Sequence, residues 1–456
     1  MTQKSVVVVG AGFGGLEAAK ALAKTDCRVT MVDRKNHHCF QPLLYQVATA
    51  SLSPADVAWP IRSILSGQEN ANVLMAEVSG VDAAGRIVKT SDGGQLSYDY
   101  LVLATGATHS YFGHPEWAGI APGLKTIEDA TEIRAKILLG FERAERADDL
   151  NARSRHMTFI VIGAGPTGVE LAGSIAEIAH HALSRDFRRI RPQLARIILV
   201  EAGPRVLSAF PEELAEYART ALVAMGVEVI TGRSVVACDR KGVWISDGSR
   251  IASDCVLWAA GVRASAAASW LGIAGDRAGR LPVDEFLRVP GLDGVFAIGD
   301  TAHVISEGAV VPGIAPAAKQ MGRYAGELIA AEIKGNGNAG PFKYMHHGDL
   351  ATIGRKSAVV ALKNIELKGF FGWLFWSVAH IYFLLGVRNR AVVAINWIWE
   401  YLTFQRGARL ISRSEYSALE AEQSLAIAEQ HALGTAGVSP MVASVPQNEQ
   451  AGGSAR

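Results

Sequence analysis

The sequence predicts an α/β protein with two similar parallel-sheet domains, followed by a C-terminal region of amphipathic helices. Three observations lead to this fold class. Residues 6–19, VVVVGAGFGGLEAA, and residues 159–172, FIVIGAGPTGVELA, repeat one strand, one glycine turn and one helix. Residues 88–107 and 243–262 repeat a hairpin with an Asp-Gly turn that leads into an apolar strand. Residues 342–412 carry an unusual load of aromatic side chains.

The first glycine turn lies in the context that a dinucleotide site requires. Gly10, Gly12 and Gly15 follow a strand of four valines and precede an alanine-rich helix. The first glycine permits the tight turn, the second lets the backbone approach a pyrophosphate, and the third lets the helix pack close to the strand. Asp33 closes the next strand, where it is placed to accept a hydrogen bond from a ribose hydroxyl. The unit is predicted to be Rossmann-like, with phosphates at the helix N-terminus.

The second turn meets the same conditions. Gly163, Gly165 and Gly168 follow an apolar strand, and Glu201 closes the next strand, IILVE. An acid at this place bonds the adenosine ribose and repels a 2′-phosphate, so NADH is favoured over NADPH. Two dinucleotide sites in one chain indicate one held and one visiting molecule. A flavin is the natural held partner of a nicotinamide, because it accepts a hydride and then passes electrons on.

Composition excludes several other classes. Lys and Arg total 45 against 44 for Asp and Glu, so no overall field attracts nucleic acid, and no nucleic-acid partner is expected. The four cysteines are scattered without a CxxC pair, so we expect neither a disulfide framework nor a metal site. An apolar strand begins at Ser5, which leaves no room for a signal peptide before it and predicts a cytoplasmic protein.

With two further motifs, VLATGA (102–107) and VFAIGD (295–300), the chain resembles the two-dinucleotide-binding flavoprotein superfamily. The resemblance implies an FAD-binding domain made of residues 1–110 and 290–340, with an NADH-binding domain of residues 111–289 inserted in it. It also implies that Asp300 bonds the ribityl chain of the flavin at the start of the following helix. The residues expected to bind FAD or NADH are Gly10, Gly12, Gly14, Gly15, Asp33, Arg34, Gln46, Ala104, Thr105, Gly106, Gly163, Gly165, Thr167, Gly168, Glu201, Gly261, Gly299, Asp300 and Ala317.

Within this superfamily the chain resembles the type II NADH:quinone oxidoreductases. The resemblance is carried by VDRKNHHCFQPLLYQVATASLSP (32–54), GPTGVELAG (165–173), PGIAPAAKQMGRY (312–324) and the run from 348 to 411. One departure is Pro316, which stands where the family often has the first glutamine of AQxxxQ. The resemblance implies hydride transfer from NADH to FAD and then reduction of a membrane quinone, ubiquinone or menaquinone, without proton pumping.

Three residues are expected to act in catalysis. Glu170 resembles the family's acid near the nicotinamide and the flavin, although a first-turn acid that satisfies the helix dipole is the alternative. Gln320 and Lys319, at a helix start, are placed to hydrogen-bond a quinone carbonyl, although Lys319 could equally be a surface residue. Two other functions stay open. One is a sulfide:quinone or other quinone reductase on the same scaffold, for which Cys39 is the candidate thiol. The other is a nucleotide-sensing flavoprotein.

Residues 341–412 are predicted to form a membrane-association and quinone-access region. Residues 369–387 contain no charge and are just long enough to span a bilayer, whereas residues 391–411 are amphipathic, with Asn396, Glu400 and Thr403 on one face. Six basic residues against two acids between 363 and 410 give a local charge of +4, which suits an anionic lipid surface.

We therefore expect monotopic attachment to the cytoplasmic face of the inner membrane. A transmembrane span, packing onto the body and a dimer interface are the alternatives for the same aromatic segments. Residues 413–456 are predicted to be a flexible tail, and the resemblance implies a homodimer.

Overall fold

The computed structural model describes residues 3–336, 340–403, 405–412 and 416. It divides into two compact units, Met1–Leu410 and Ile411–Arg456. In the second unit the amide of Tyr416 donates to the carbonyl oxygen of Ser412 at 3.0 Å. Almost all of the predicted tail, residues 413–456, lies outside the described residues.

The first unit is built from short strands and helices in alternation. In chain order, the strands are β1 (Lys4–Val9), β2 (Cys27–Asp33), β3 (His37–Cys39), β4 (Ala58–Pro60), β5 (Ala71–Met75), β6 (Val78–Asp82), β7 (Ile87–Thr90), β8 (Gln95–Ser97), β9 (Tyr100–Leu103), β10 (Ala107–His109), β11 (Thr158–Ile162), β12 (Arg196–Val200), β13 (Val227–Ile230), β14 (Val235–Asp239), β15 (Gly242–Ile245), β16 (Arg250–Ala252), β17 (Cys255–Trp258), β18 (Val262–Ala264), β19 (Leu281–Pro282), β20 (Val295–Ala297), β21 (Ala302–His303), β22 (Ile305–Ser306), β23 (Ala309–Val310), β24 (Asp349–Gly354), β25 (Ser357–Ala361) and β26 (Glu366–Lys368). The α-helices are α1 (Phe13–Ala21), α2 (Leu44–Ala48), α3 (Ile61–Ile64), α4 (Ile127–Arg146), α5 (Leu150–His156), α6 (Pro166–Glu177), α7 (Glu212–Ala224), α8 (Ala267–Leu271), α9 (Ala315–Ile333), α10 (Gly369–Phe383) and α11 (Val387–Thr403).

The first sheet is parallel, with the strand order β20-β9-β1-β2-β5. Its central strand β1 is buried from Val6 to Val9, which explains the run of four valines, since a strand covered on both faces needs no polar alternation. The chain leaves this sheet after β9 and returns to it only at β20. All the strands of the second sheet lie between these two points.

The second sheet is also parallel, and its order β13-β12-β11-β17 repeats that of the first without the outer strand β20. An antiparallel ribbon is inserted in each half of the chain: β6-β7-β8 lies between β5 and β9 of the first sheet, and β14-β15-β16 lies between β13 and β17 of the second. The predicted Asp-Gly turns are confirmed, because Gly93 and Gly248 join the last two strands of each ribbon with φ of +88° and +85°. The predicted domain boundaries at residues 110 and 290 stay predictions.

A short antiparallel pair connects the two halves. Strand β10 follows β9 of the first sheet and β18 follows β17 of the second, and Ala107 lies opposite Ala264 while His109 lies opposite Val262. Each strand of the pair begins four residues after the end of the sheet strand that it follows. The pair therefore lies where the carboxyl ends of the two sheets approach each other.

The C-terminal part of the first unit is a three-stranded antiparallel sheet, β24-β25-β26, followed by α10 and α11. Strand β24 packs against α6 so closely that a Cβ atom at Gly173 would overlap the carbonyl oxygen of Ile353. Helix α10 ends at Phe383, short of the apolar stretch to residue 387 that the sequence suggested. Within the part of the chain that the structure describes, no helix is both long and apolar enough to cross a membrane.

Candidate functional site

The first glycine turn is shaped by close backbone contacts at one side and open space at the other. Gly10 has φ of +100°, and a Cβ atom there would overlap the carbonyl of Ala104. A Cβ atom at Gly15 would overlap the carbonyl of Gly10, so both positions need glycine. At Gly12, which begins α1, nothing lies within 4 Å of the Cβ position. The turn thus presents free backbone and an open space at the N-terminus of α1, which is what a pyrophosphate requires.

The second turn has the same geometry. Gly163 has φ of +99° and packs against the backbone of Ala260, while a Cβ atom at Gly168 would overlap the carbonyl of Gly163. The Cβ position at Gly165 is again open. Thr167 lies half-buried in the first turn of α6. Two turns with one geometry therefore stand at the carboxyl ends of the central strands of the two sheets.

The acid that follows each turn fixes the turn itself. The carboxylate of Asp33 accepts hydrogen bonds from the amides of Ala11 at 2.7 Å and Lys35 at 2.8 Å. The carboxylate of Glu201 accepts from the amides of Ala164 at 2.6 Å and Gly203 at 2.7 Å. Since each oxygen of an ionised carboxylate can accept more than one hydrogen bond, both acids keep capacity for a ribose hydroxyl. Arg34, next to Asp33, is exposed.

The motif VLATGA brings its threonine and glycine against the segment after β20. The hydroxyl of Thr105 lies 3.1 Å from that of Thr301, and the amide of Gly106 donates to the Thr301 hydroxyl at 3.0 Å. Thr105 also bonds the hydroxyl of Ser265, in the second half of the chain. These polar contacts hold the edge of the first sheet against the second half.

Asp300 lies in a single 3-10 turn, Gly299–Thr301, and three short strands separate it along the chain from the start of α9 at Ala315. Its carboxylate still lies close to that helix, because a Cβ atom at Gly313 would be 2.9 Å from it. The predicted contact of Asp300 with the flavin stays a prediction. Asp300 pairs with Lys125 at 3.9 Å.

Two glycines of the site border helix α9. Gly299 has φ of +64°, and its amide donates to the sulfur of Met321. The Cβ position of Gly14 is 3.0 Å from the carbonyl oxygen of Ala318. Ala317 is fully buried on the same helix. Helix α9 therefore packs directly against the first glycine turn and the 3-10 turn.

Glu170 is buried inside α6 rather than exposed at its start. Its carboxylate accepts the amide of Thr352, on β24, at the long distance of 3.5 Å. Burial raises the pKa of the Glu170 carboxyl well above its usual value. Burial therefore favours the neutral acid, which interacts with a helix dipole less than a carboxylate does.

Lys319 and Gln320 differ sharply in their surroundings. The Lys319 ammonium lies 5.5 Å from the ring centre of Phe13 and 5.2 Å from that of Phe383, and burial lowers its pKa. The Gln320 amide instead donates to the carbonyl of Met345 at 2.8 Å and accepts its amide at 2.9 Å. Lys319 is thus a partly desolvated cation between two aromatic rings. Gln320 instead holds the segment before β24 in place through its two hydrogen bonds to Met345.

A partly open cavity of about 80 Å³ lies between α2, α6, α10 and α11. Its aromatic wall consists of Tyr45, Trp373, Trp376, Trp397 and Tyr401. Gln46 also lines it, with its amide held by the Tyr45 hydroxyl at 2.8 Å and the Trp397 indole at 2.7 Å. The sequence grouped Gln46 with the cofactor-binding residues, and the structure brings it to this cavity.

A buried ionic cluster closes the same cavity, and the sequence analysis missed its role. Arg406 is 5% exposed and donates to the carboxylates of Glu177 at 2.7 Å and Glu400 at 2.6 Å. Burial raises the pKa of the Glu177 carboxyl, which Arg406 opposes. The structure also lowers the surface charge expected from the sequence count of +4, because Arg406 faces inward and Arg409 pairs with Asp186.

A second residue that the sequence analysis missed is His38. Its Nδ1 lies 2.9 Å from the carbonyl oxygen of Ala11, so it donates the proton there and Nε2 is an acceptor. Among the described residues Nε2 has no hydrogen-bond partner, although His38 is 3% exposed. Burial lowers the pKa of His38 to about 4, so the ring is neutral. The signal was available in the pair His37–His38, between Asp33 and the aromatic Phe40.

The fold and the paired turns define a class of protein. The sequence model of the pyridine nucleotide-disulphide oxidoreductases matches residues 4–322, and that of the NDH2 C-terminal domain matches residues 346–406. A type II NADH:quinone oxidoreductase of Mycobacterium tuberculosis is 42% identical over 444 residues, which cover 94% of this chain and 95% of the relative. The chain belongs to the type II NADH:quinone oxidoreductase family.

Solved structures show the same fold. NDH2 from Plasmodium falciparum, determined in complex with NADH, superimposes with a TM-score of 0.82 at 22% identity, covering 90% of this chain and all of that one. The sulfide:quinone oxidoreductase of Aquifex aeolicus superimposes with a TM-score of 0.68 at 18% identity, covering 85% and 92%. The predicted α/β flavoprotein fold and the predicted family are therefore confirmed.

Proposed function

We propose that this protein oxidises NADH and reduces a membrane quinone through bound FAD, without pumping protons. The observation that carries the proposal is the presence of two glycine turns of one geometry, each fixed by its own acid, in a chain similar over nearly its whole length to a type II NADH:quinone oxidoreductase. The balanced reaction takes NADH, one proton and the quinone to NAD⁺ and the quinol.

The residues around the first turn fit FAD. The open position at Gly12 admits a pyrophosphate, and Asp33 retains acceptor capacity for a ribose. The unpartnered Nε2 of His38 is a buried acceptor beside the same turn, as a ligand rich in hydroxyl groups would require. When bound, FAD supplies a ring that accepts a hydride and passes on two electrons.

The second turn receives NADH in this proposal. Glu201 bonds the adenosine ribose and repels a 2′-phosphate, which favours NADH over NADPH. Glu170 lies on the helix that the second turn begins, and burial raises its pKa, which favours the protonated carboxyl. In that form it offers a hydrogen-bond donor without adding a negative charge near the reacting rings.

Lys319 is the better candidate of the two predicted quinone contacts. Its ammonium is held between Phe13 and Phe383, and a cation in a partly desolvated place stabilises negative charge on a quinone oxygen more strongly than in water. Both polar atoms of the Gln320 side chain are already bonded to Met345. Gln320 acts in this proposal by holding the neighbouring segment in place.

Attachment to one membrane face is supported by helix α11, which exposes an apolar face and turns an acid inward. On α11 one apolar face points outward, with Ile398 62% and Leu402 72% exposed, while Glu400 turns inward to Arg406. On α10, Phe371 is 71% exposed. A helix whose apolar face points away from the body fits the plane of a lipid interface.

The charges near these helices still favour an anionic lipid surface. Lys363, Lys368, Arg388 and Arg390 stand against Glu366, which leaves a local charge of +3 without the inward and paired residues. We infer the cytoplasmic face of the inner membrane as the location, with quinone reaching Lys319 from the lipid. A homodimer is part of the proposal from family resemblance.

The cysteines favour this function over sulfide oxidation. Burial raises the pKa of Cys39 to about 12 and that of Cys255 to about 12, so neither is a thiolate at neutral pH. All four cysteines are free. A sulfide:quinone reductase would need reactive thiols beside its flavin, and none of these positions offers one.

Anaerobic stopped-flow absorbance of the purified protein tests the proposal. The flavin band should bleach rapidly with NADH and recover rapidly with a short-chain ubiquinone or menaquinone. Bleaching by sulfide but not by NADH would replace the proposal with the sulfide enzyme. Bleaching by NADH without recovery would instead support a nucleotide sensor.

A further inference from the structure

Phe112 is an exposed aromatic residue in an uncommon backbone conformation. It lies between β10 and α4, is 67% exposed, and has φ of +49°. Residues with a side chain rarely adopt the left-handed region, and bulky ones least of all. A large apolar ring held this way at the surface indicates a position that the surrounding structure imposes.

The ring tip of Phe112 fills the space beside Gly261. A Cβ atom at Gly261 would lie 2.7 Å from Cζ of Phe112, so the glycine leaves room for the ring. The ring also packs on Trp258, with centroids 6.1 Å apart and planes tilted by 54°. Trp258 is fixed in turn, because its indole donates to the carbonyl of Ser110 at 2.9 Å and it contacts Trp117 at 5.7 Å. Phe112 is thus the exposed end of an aromatic cluster formed with Trp258 and Trp117.

The exposed end of this aromatic cluster lies at the crevice of the second sheet. In the order β13-β12-β11-β17, the direction of strand succession reverses between β11 and β17, and ligands of such sheets bind at the carboxyl ends of the strands at that reversal. Gly163 directly follows β11, and its Cβ position lies 2.5 Å from Cα of Ala260, next to Gly261. Phe112 therefore borders the crevice on its β17 side.

The two sides of this crevice receive different halves of the dinucleotide. Glu201 follows β12 and marks the side of the adenosine ribose, and the pyrophosphate lies between them at the Gly163 turn. The other nucleoside of NADH must then extend toward β17, where Gly261 and Phe112 lie. A flat apolar ring suits contact with the flat nicotinamide ring.

We propose that Phe112 is a nucleotide-contacting residue that stacks against the nicotinamide half of NADH and orients it. The inference rests on the proposed function and adds to it a residue that determines how well the dinucleotide is held. Binding of NADH covers the exposed ring of Phe112, and the aromatic cluster behind it holds the ring in position.

The first test replaces Phe112 by alanine and, separately, by tyrosine. Two measurements are made: NAD⁺ affinity by calorimetry, and the NADH concentration at half-maximal rate of flavin bleaching in a single turnover. Phe112→Ala should weaken both by about twofold to tenfold, the range of one aromatic contact, while Phe112→Tyr restores them. Recovery of the flavin with quinone should not change in either variant. Leu194→Ala, an exposed apolar residue just before β12, is the matched control.

A double-mutant cycle separates the ring from general damage. Gly261 has no positive φ, so Gly261→Ala is compatible with the backbone and acts by displacing the Phe112 ring. Its effect on NAD⁺ affinity should be clear in the wild-type chain and nearly absent in the Phe112→Ala background. No loss of affinity in Phe112→Ala would overturn the proposal. Calorimetry with NAD⁺ needs no turnover, so this result is independent of whether a quinone is reduced.

Discussion

Arg406 donates to the carboxylate of Glu177 at 2.7 Å, and this buried pair joins the segment after α11 to the end of α6. Arg406 also donates to the carbonyl oxygen of Thr49 at 2.9 Å and to that of Ser174 at 3.2 Å. One side chain thus connects three parts of the chain that are distant in sequence. The stability of the helical C-terminal region depends on this cluster more than on its exposed ion pairs.

Arg406→Met should destabilise the protein strongly. Removing the cation leaves the Glu177 and Glu400 carboxylates buried without their partner, which costs about 3–5 kcal/mol in comparable sites. Denaturant unfolding followed by circular dichroism measures the loss. Arg409→Met is the control, because Arg409 pairs with Asp186 near the surface, and its loss should stay below about 1 kcal/mol. Equal losses in the two variants would contradict a special role for the buried cluster.

Glu170→Gln should make the protein more stable than the wild type as pH rises. The folded-state pKa of Glu170 is raised, so the folded protein binds the proton of this acid more tightly than the unfolded chain does. The free energy of unfolding of the wild type therefore falls as pH rises from the unfolded-state pKa through the folded-state pKa, whereas Glu170→Gln has no such loss. Between the unfolded pKa near 4.3 and the folded one, the difference should grow by about 1.4 kcal/mol per pH unit. Unfolding free energies at pH 4, 6 and 8 measure it, and a difference that does not vary with pH would refute the burial argument.

Glu201→Gln should shift the nucleotide preference toward NADPH. The change removes the negative charge that repels a 2′-phosphate while it keeps one oxygen to accept an amide of the second turn. We expect the ratio of kcat/KM for NADPH over NADH to rise by about tenfold, a difference of about 1.4 kcal/mol. Asp33→Asn is the matched control at the first turn. It should lower the flavin content of the purified protein and leave the nucleotide preference as it was.

Lys319→Met should slow reoxidation of the flavin by quinone without slowing its reduction by NADH. The variant keeps the apolar stem between Phe13 and Phe383 but removes the charge, and loss of one electrostatic stabiliser lowers a rate by about a hundredfold in favourable cases. The two half-reactions are followed separately by stopped flow. Arg323→Met, one turn further along α9 and exposed, should change neither rate. A slower reduction step in Lys319→Met would show that Lys319 acts in the reaction with NADH, which contradicts a quinone contact.

Ile398→Glu combined with Leu402→Glu should release the protein from lipid vesicles. Both residues lie on the outward face of α11, and a charge there disfavours insertion into the interface. Co-sedimentation with anionic vesicles should fall at least tenfold, while bleaching of the flavin by NADH in detergent stays the same. The pair Arg388→Gln and Lys368→Gln should weaken binding only at low salt, since its contribution is electrostatic. Full vesicle binding by the double-glutamate variant would rule out α11 as the attachment face.

The glycine turns and their acids were predictable because they depend on local backbone geometry. The spacing of Gly10, Gly12 and Gly15 encodes a contact with the next parallel strand, and any sheet with this order makes that contact. Gln320 was less predictable, because its partner Met345 reaches it only through the tertiary fold. The short hairpin between Asp300 and α9 was also unpredictable, since strands of two residues leave little trace in hydrophobic periodicity.

The orientation of α11 could not be deduced from its sequence pattern. A helix with two unlike faces fits either a protein core or a lipid interface, and the pattern does not say which face turns inward. The decision depends on Arg406, three residues beyond the helix, which draws Glu400 toward the interior. For the same reason the charge count overestimated the basic surface, because it assigned a buried cation to it.

The antiparallel pair β10 and β18 has a consequence for how the two halves work together. Each of its strands follows, within a few residues, the loop at the carboxyl end of its own sheet, and the pair is joined in register from Ala107 to His109. A ladder of backbone hydrogen bonds resists shear and bending more than a single-stranded linker does. We therefore expect the spacing between the two glycine turns to change little during turnover, so that the donor and acceptor rings of the proposed reaction meet without a rotation of one half against the other.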